Sequence, residues 1–200
     1  MRTIINETVN EIVIQKSKFI GIINPLNSSE EVKDILARIK KEYPKATHYC
    51  YAYIFDENMK SNDDGEPAKT AGRPILEVMI KHDINRALLV VVRYFGGIKL
   101  GAGGLTRAYV QGATSVLDVS ELYHEEIRKH YLLTVDYNKL EFLNLYIKEN
   151  KFELIDINYE ENVLVNISCK DLDCDDLMNY LQGKVKIEFL SDTQVLVKNI

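Results

Sequence analysis

The feature that most constrains the fold of this chain is the apolar run Leu88–Val92, which is followed closely by the glycine-rich stretch Gly96–Gly104. An apolar run without polar alternation is typical of a central strand that is covered on both faces. After the glycines, apolar residues recur at the spacing of a helix that buries one side. These residues are Leu105, Ala108, Tyr109, Gly112 and Val116. The pattern predicts a central strand, a glycine loop and a packed helix that begins near Gly104.

Strands and one helix are predicted on the N-terminal side of this run. Ile4–Gln15 and Lys18–Ile23 are rich in Ile and Val, which favours strands. Ser28 and Glu31 would form a capping box at the start of a helix. The apolar residues of that helix are Val32, Ile35, Leu36, Ile39 and Tyr43.

A further strand, a loop and a helix are predicted before the apolar run. His48–Phe55 alternates as a strand does, and its aromatic residues Tyr49, Tyr51, Tyr53 and Phe55 share one face. That face either stacks bases, as in RNA-binding modules, or is covered by helices. Asp56–Glu66 is predicted to be a polar loop. Pro74 suits the first turn of a helix whose buried stripe is Ile75, Val78, Met79 and His82.

The C-terminal part predicts the element order β-α-β-β-α-β, which is ferredoxin-like. The strands are Tyr131–Asp136, Glu153–Tyr159, Val163–Ser168 and a last one formed by Lys186–Leu190 and Gln194–Val197; the helices are Leu140–Glu149 and one that Asp173 caps. The sequence therefore predicts an α+β protein with two domains, residues 1–124 and residues 125–200.

Charge is distributed unevenly over these two parts. Residues 1–124 hold 16 Lys or Arg and 15 Asp or Glu, whereas residues 125–200 hold 9 and 15. The second part is acidic and is not expected to attract nucleic acid. Between Ile84 and Leu117 there are basic residues and no acid, while the preceding segment Asp56–Glu66 holds five acids and one Lys. The acid-free window also holds most of the glycines, which favours an anion-binding surface over a chance distribution.

Several classes of protein are not expected. No stretch approaches the roughly 18 apolar residues of a membrane span, and the N-terminus has acids where a signal peptide has an apolar run. Cys50, Cys169 and Cys174 are odd in number and do not cluster as metal ligands do. We expect a cytoplasmic protein with no disulfide, no metal and no cofactor.

The strand, glycine loop and helix around residues 90–112 form the strongest candidate site. Amides at a helix N-terminus lack intrahelical acceptors and attract anions, and glycines let a partner approach the backbone. Arg93, Lys99 and Arg107 would supply positive charge there. Thr106 stands where a dinucleotide fingerprint needs Gly, and Ala102 stands where a phosphate loop needs Lys. The segment predicts contact with an anion or a nucleic-acid backbone, or else tight packing of the loop against the sheet.

Two other groups of residues could form a different kind of site. Asp63, Asp64 and Glu66 could hold Mg²⁺, but a turn built on Asp-Gly is the commoner explanation. His48 lies beside Cys50 without an acid partner on that strand, so a packed cysteine is favoured over a nucleophile pair.

Several sequence blocks occur in order along about residues 5–120. They are Lys16–Phe19, His48–Tyr53, Asn62–Pro67, Thr70–Glu77, Leu88–Gly101 and Gly103–Tyr109. Together they closely resemble the signature of the YigZ/IMPACT family. Two departures are visible: Lys69 and Val110 stand where the family usually has Gly. The acidic second part resembles the C-terminal domain of bacterial members.

This resemblance implies a fold and a set of site residues. The first domain would be a two-layer α/β sandwich like a small-subunit ribosomal protein domain and domain IV of elongation factor G, and the second would be like domain V of that factor. The matching blocks extend the candidate anion-binding set. It comprises Lys16, Lys18, Lys69, Arg73, Arg93, Gly96, Gly97, Lys99, Gly101, Gly103, Gly104 and Arg107.

The resemblance also implies a role in translation, because eukaryotic relatives regulate its initiation by interfering with the amino-acid-starvation kinase pathway. The leading hypothesis is a non-catalytic regulator that contacts RNA, the ribosome or a translation-linked protein through the basic glycine-rich face. The alternatives are an enzyme or binding protein for a small phosphorylated ligand or nucleotide at residues 96–104, and a pure protein-interaction module. The absence of a kinase-type glycine-serine run weighs against the enzyme.

Overall fold

The predicted central strand lies in the middle of an antiparallel five-stranded sheet in the computed structural model, which describes residues 1–199. This strand, β6, spans Ala87–Tyr94. The other strands are β2 (Thr8–Ile14), β3 (Ser17–Pro25), β4 (His48–Phe55) and β5 (Asn58–Asn62). Their order is β2-β3-β6-β4-β5, so β6 has two neighbouring strands on each side.

Helices cover both faces of this sheet. One face packs against α1 (Glu31–Glu42), and the other packs against α2 (Gly72–Lys81) and α3 (Gly101–Leu117). Side chains alternate along β6, so Leu89 and Val91 join the core under α2 and α3, while Leu88, Val90 and Val92 join the core under α1. Each of these buried side chains contributes about 1.5–3 kcal/mol. The two-sided burial explains why the run shows no polar alternation.

The aromatic face of β4 lies on the α1 side. Tyr49, Tyr51, Tyr53 and Phe55 are half-buried and pack against the core that includes Val32 and Ile39 of α1. This face is therefore covered by α1 and is not an open surface on which bases could stack.

Some predicted boundaries are wrong. Asn58–Asn62, predicted as loop, forms the edge strand β5. Its residues are polar and mostly exposed, so they show no apolar alternation, and the segment becomes a strand only by pairing with β4. The capping contacts lie one residue earlier than expected, since Ser28 Oγ accepts from Glu30 N at 3.0 Å and Glu31 accepts from Asn27 N at 3.0 Å. Helix α3 begins at Gly101, because glycine weakens a helix without forbidding it and the buried face further along anchors the extra turn.

The chain divides into two units. Unit 1 is Met1–His124 with the chain end from Lys198, and unit 2 is Glu125–Val197. The short strand β1 (Arg2–Thr3) pairs with the first residues of β7 (Tyr123–Val135), where Arg2 is opposite His124. The predicted strand Ile4–Gln15 is thus shorter, as β2, and β7 begins earlier than the predicted Tyr131.

Unit 2 has the predicted β-α-β-β-α-β order. After β7 come α4 (Leu140–Glu149), β8 (Glu153–Tyr159), β9 (Val163–Cys169), α5 (Cys174–Tyr180) and β10 (Val185–Lys198). The sheet order is β10-β7-β9-β8, and Asp173 caps α5 by accepting from Asp176 N at 2.9 Å. The two predicted C-terminal strands are one continuous strand. The predicted two-part α+β class is confirmed, but the implied two-layer sandwich is wrong, because helices on both faces of the sheet give unit 1 three layers.

Among residues 1–199, none of the helices combines the length and the apolar character that crossing a membrane requires.

Candidate functional site

The loop Phe95–Leu100 joins β6 to α3 and leaves the start of α3 open. No side chain caps the helix, because Leu100 occupies the capping position. A Cβ atom added at Gly97, Gly101 or Gly103 would meet nothing within 4 Å. The φ angles of Gly97 and Gly101 are +87° and +68°, which explains glycine at these two positions, whereas Gly103 has no such requirement. The backbone here is accessible to a partner.

Exposed cations accompany this open backbone. Lys99 lies in the loop, and Arg107 follows Gly103 by one helical turn on the exposed side of α3. Within the described residues 1–199, neither side chain forms an ion pair. We call Gly97, Lys99, Gly101, Gly103 and Arg107 the basic glycine surface.

The other predicted cations are placed differently. The carbonyl oxygen of Lys16 lies only 2.0 Å from where a Cβ of Gly96 would be, so the β2–β3 turn touches the start of the loop. Lys18 pairs in register with Tyr94 and so faces the α1 side of the sheet, where it forms a 3.0 Å ion pair with Glu11. Arg73 is exposed on α2 and pairs with Glu77 at 2.9 Å. Lys16 therefore lies beside the glycine loop, whereas Lys18 and Arg73 are engaged in ion pairs.

Arg93 lies behind the loop and not on its exposed side. It is only 5% exposed, and its Nη1 donates to Glu66 Oε1 at 2.6 Å. The guanidinium lies over the rings of Phe19 and Phe95, at 5.4 and 5.5 Å from their centroids. It is on the α3 side of the sheet, but its charge is paired internally.

Glu66 is the centre of a buried polar cluster. Tyr109 of α3 donates its hydroxyl to Glu66 Oε1 at 2.8 Å, and His48 Nε2 lies 3.8 Å from the same oxygen. His48 Nδ1 is 2.8 Å from the carbonyl oxygen of Asp64. A buried arginine requires a compensating carboxylate, but no local pattern in the sequence showed that Arg93 is buried. The identity of that carboxylate and the contribution of Tyr109 were missed, because they depend on tertiary packing.

Burial makes Cys50 a poor nucleophile. Loss of solvation raises the pKa of its thiol to about 12, and the negative charge of Glu66 adds to this shift. The thiol lies 2.9 Å from the carbonyl oxygen of Asp63. Burial also raises the pKa of the Tyr109 hydroxyl. Both groups therefore stay protonated, as the packed-cysteine interpretation requires.

The acidic loop serves the fold. The Asp63 carboxylate accepts from the amides of Lys69, Ala71 and Gly72 at 2.8–3.0 Å, so it caps α2. The Asp64 carboxylate accepts from Tyr49 N at 2.7 Å. No group of His, Cys, Asp or Glu side chains within residues 1–199 is arranged to hold a metal ion.

The fold and this surface define a class of α+β protein in which a helix-covered antiparallel sheet precedes a ferredoxin-like unit. The Impact N-terminal domain matches residues 15–117. The IMPACT family member YvyE of Bacillus subtilis is 41% identical over 157 residues, covering 77% of this chain and 72% of the relative. The IMPACT family member YigZ of Escherichia coli is 31% identical over 160 residues, covering 78% of each.

A solved structure, the crystal structure of a hypothetical protein, matches with a TM-score of 0.60 at 26% identity and covers 95% of this chain and 97% of its own. The chain belongs to the IMPACT family.

Proposed function

We propose that the protein regulates translation by binding RNA or the ribosome through the basic glycine surface. The resemblance to a family with eukaryotic members that regulate translation initiation supports a role in translation. The observation that supports the contact is the uncapped, open start of α3 beside two exposed cations, Lys99 and Arg107, that have no ion-pair partner within residues 1–199.

This arrangement suits a phosphate backbone. The amides of the first helical turn donate to phosphate oxygens, and the partial positive charge of the helix N-terminus adds attraction. Lys99 and Arg107 would each neutralise a phosphate. The glycines have open space beside them, so an RNA strand can come close to the helix backbone. Such contacts carry little base information, so the binding is expected to be tolerant of sequence.

The test is the salt dependence of binding. A labelled single-stranded RNA should bind with a log–log slope of roughly −1.4, since the contacts of Lys99 and Arg107 contribute about −0.7 each. Replacing Lys99 and Arg107 together by Ala should flatten the slope by about 1.4. The matched control replaces Lys33 and Lys60, two exposed lysines elsewhere in unit 1, and should leave the slope unchanged.

Ribosome co-sedimentation at two salt concentrations extends this test to the assembled particle. Binding that is lost at high salt and is weakened by the Lys99 and Arg107 substitutions supports the proposal. No salt-dependent binding of RNA or ribosomes at low ionic strength contradicts it. In that case saturable nucleotide binding would favour a small phosphorylated ligand, and its absence would favour a protein partner.

A further inference from the structure

Arg93 connects a buried carboxylate to the first residue of the glycine loop. Its guanidinium is held by Glu66 at 2.6 Å on one side and stacks against Phe95 at 5.5 Å on another. Phe95 is 47% exposed, whereas Arg93 is 5% exposed. The contact chain from Glu66 to Phe95 therefore runs from the core of unit 1 to its surface.

The start of the loop is held at further points. The Phe95 amide donates to Thr47 Oγ1 at 3.0 Å, and the Gly96 amide donates to Ser17 Oγ at 3.1 Å. Gly96 also lies against the Lys16 carbonyl, which leaves no room for a side chain. Beyond Gly96 the loop is open at Gly97 and is held again at Leu100, which packs against the core of unit 1. The direction in which Lys99 is presented thus depends on the anchors at both ends of the loop, Phe95 and Gly96 at one end and Leu100 at the other.

The position of Arg93 depends on the charge of Glu66. A buried guanidinium is stable only beside a compensating carboxylate, and the buried Nε atom of Arg93 has no hydrogen-bond partner within residues 1–199. If Glu66 lost its charge, Arg93 would move toward water and away from Phe95. Tyr109 holds the same Glu66 oxygen from α3, so the carboxylate also links the loop to the helix that follows it.

We propose that Glu66 and Arg93 are positioning residues for the basic glycine surface, acting through Phe95. This assignment rests on the proposed function. Arg93 then strengthens RNA binding without touching phosphate, by fixing the loop that presents Lys99 and leads into α3. The conformation of the glycine loop is then coupled to the acidic loop of residues 63–66 through the contacts from Glu66 to Arg93 and from Arg93 to Phe95.

Amide hydrogen exchange of the full chain without RNA tests the link itself. In Arg93→Lys and in Phe95→Leu, the amides of Phe95 and Gly96 should exchange faster by about tenfold, because the contact between the planar guanidinium and the ring is lost. Phe95→Leu changes an exposed residue, so it remains informative if Arg93→Lys folds poorly. The matched control is Arg73→Lys, which alters an exposed arginine–glutamate pair. Unchanged exchange, or an increase no larger than that of the core amide of Val91, overturns the link.

RNA binding separates positioning from direct contact. With a labelled single-stranded RNA of twelve uridines, Arg93→Lys and Phe95→Leu should weaken binding about threefold at unchanged salt slope, while Lys99→Ala should lower the slope by about 0.7. Glu66→Gln should behave as Arg93→Lys does. Because lysine keeps the positive charge, Arg93→Ala is measured as well. If Arg93→Ala lowered the salt slope of RNA binding by about 0.7, Arg93 would contact phosphate directly and the positioning role would be refuted. If the wild-type protein binds no RNA, the proposed function fails, and hydrogen exchange still decides the link.

Discussion

Lys69 adopts a backbone conformation that glycine prefers. Its φ is +65°, and its amide donates to Asp63 as part of the cap of α2. A side chain in this region is strained because its Cβ crowds the following carbonyl oxygen. The strain explains why glycine would suit this position. The lysine adds an exposed charge beside the acidic loop at the expense of backbone strain.

Replacing Lys69 by Gly should stabilise the protein by about 0.5–1 kcal/mol, because relief of the left-handed strain exceeds the added flexibility of the unfolded chain. Urea unfolding measures the change. Lys33→Gly is the control, since Lys33 lies inside α1, and it should destabilise by about 1 kcal/mol. Equal effects of the two substitutions would contradict the strain argument.

Helix α3 approaches the sheet closely at two glycines, and Gly21 leaves no room for a side chain. A Cβ at Gly21 of β3 would lie 2.5 Å from the carbonyl oxygen of Gly112, and a Cβ at Gly112 would lie 3.1 Å from Val91. These contacts seat the helix backbone against the strands and set the height of α3 above the sheet. Gly103 differs, because it faces open space at the other end of the same helix. The glycines of this helix therefore have two separate roles.

Gly21→Ala should destabilise unit 1 by about 1–3 kcal/mol, because the added methyl group forces α3 away from β3. Gly103→Ala should instead stabilise by about 0.5–1 kcal/mol, since alanine favours the helix and meets no neighbour. Thermal or urea unfolding of both variants checks the opposite signs. If RNA approaches the backbone as proposed, Gly103→Ala should also weaken RNA binding while it stabilises the fold.

Each unit of the molecule has its own hydrophobic core. Both cores of unit 1 are built from residues between Ile4 and Leu117, and the core of unit 2 is built from residues between Tyr131 and Val185. The charges differ as well, since residues 1–124 carry one more base than acid and residues 125–200 carry six more acids than bases. This separation is the physical basis for the expectation that the two parts fold as independent domains.

A fragment of residues 1–124 should fold by itself and unfold in one cooperative transition, because its cores are complete without the rest. Limited proteolysis of the full chain should cut between Asp118 and Leu122, which lie between α3 and β7. Without the acidic part, the fragment should bind RNA more tightly at low salt. A fragment without cooperative unfolding would refute independent folding.

Much of the architecture was predictable because its signals are local. The run Leu88–Val92 indicates a two-sided central strand by itself, and the apolar spacing from Leu105 to Val116 indicates a packed helix. The order of elements in the C-terminal part predicts the ferredoxin-like topology. Edge strand β5 was not predictable in this way, because its polar residues become a strand only by pairing with β4.

The sequence by itself determined most of the elements, the unequal charges and the cations Lys99 and Arg107, since these follow from patterns within short segments. Only the tertiary structure decided that Arg93 is buried. Its partner Glu66 is 27 residues away in sequence, and Tyr109 reaches the same carboxylate from another helix. A pattern of neighbouring residues cannot identify such a partner, because a buried charge is compensated by whichever opposite charge the fold brings within hydrogen-bond distance.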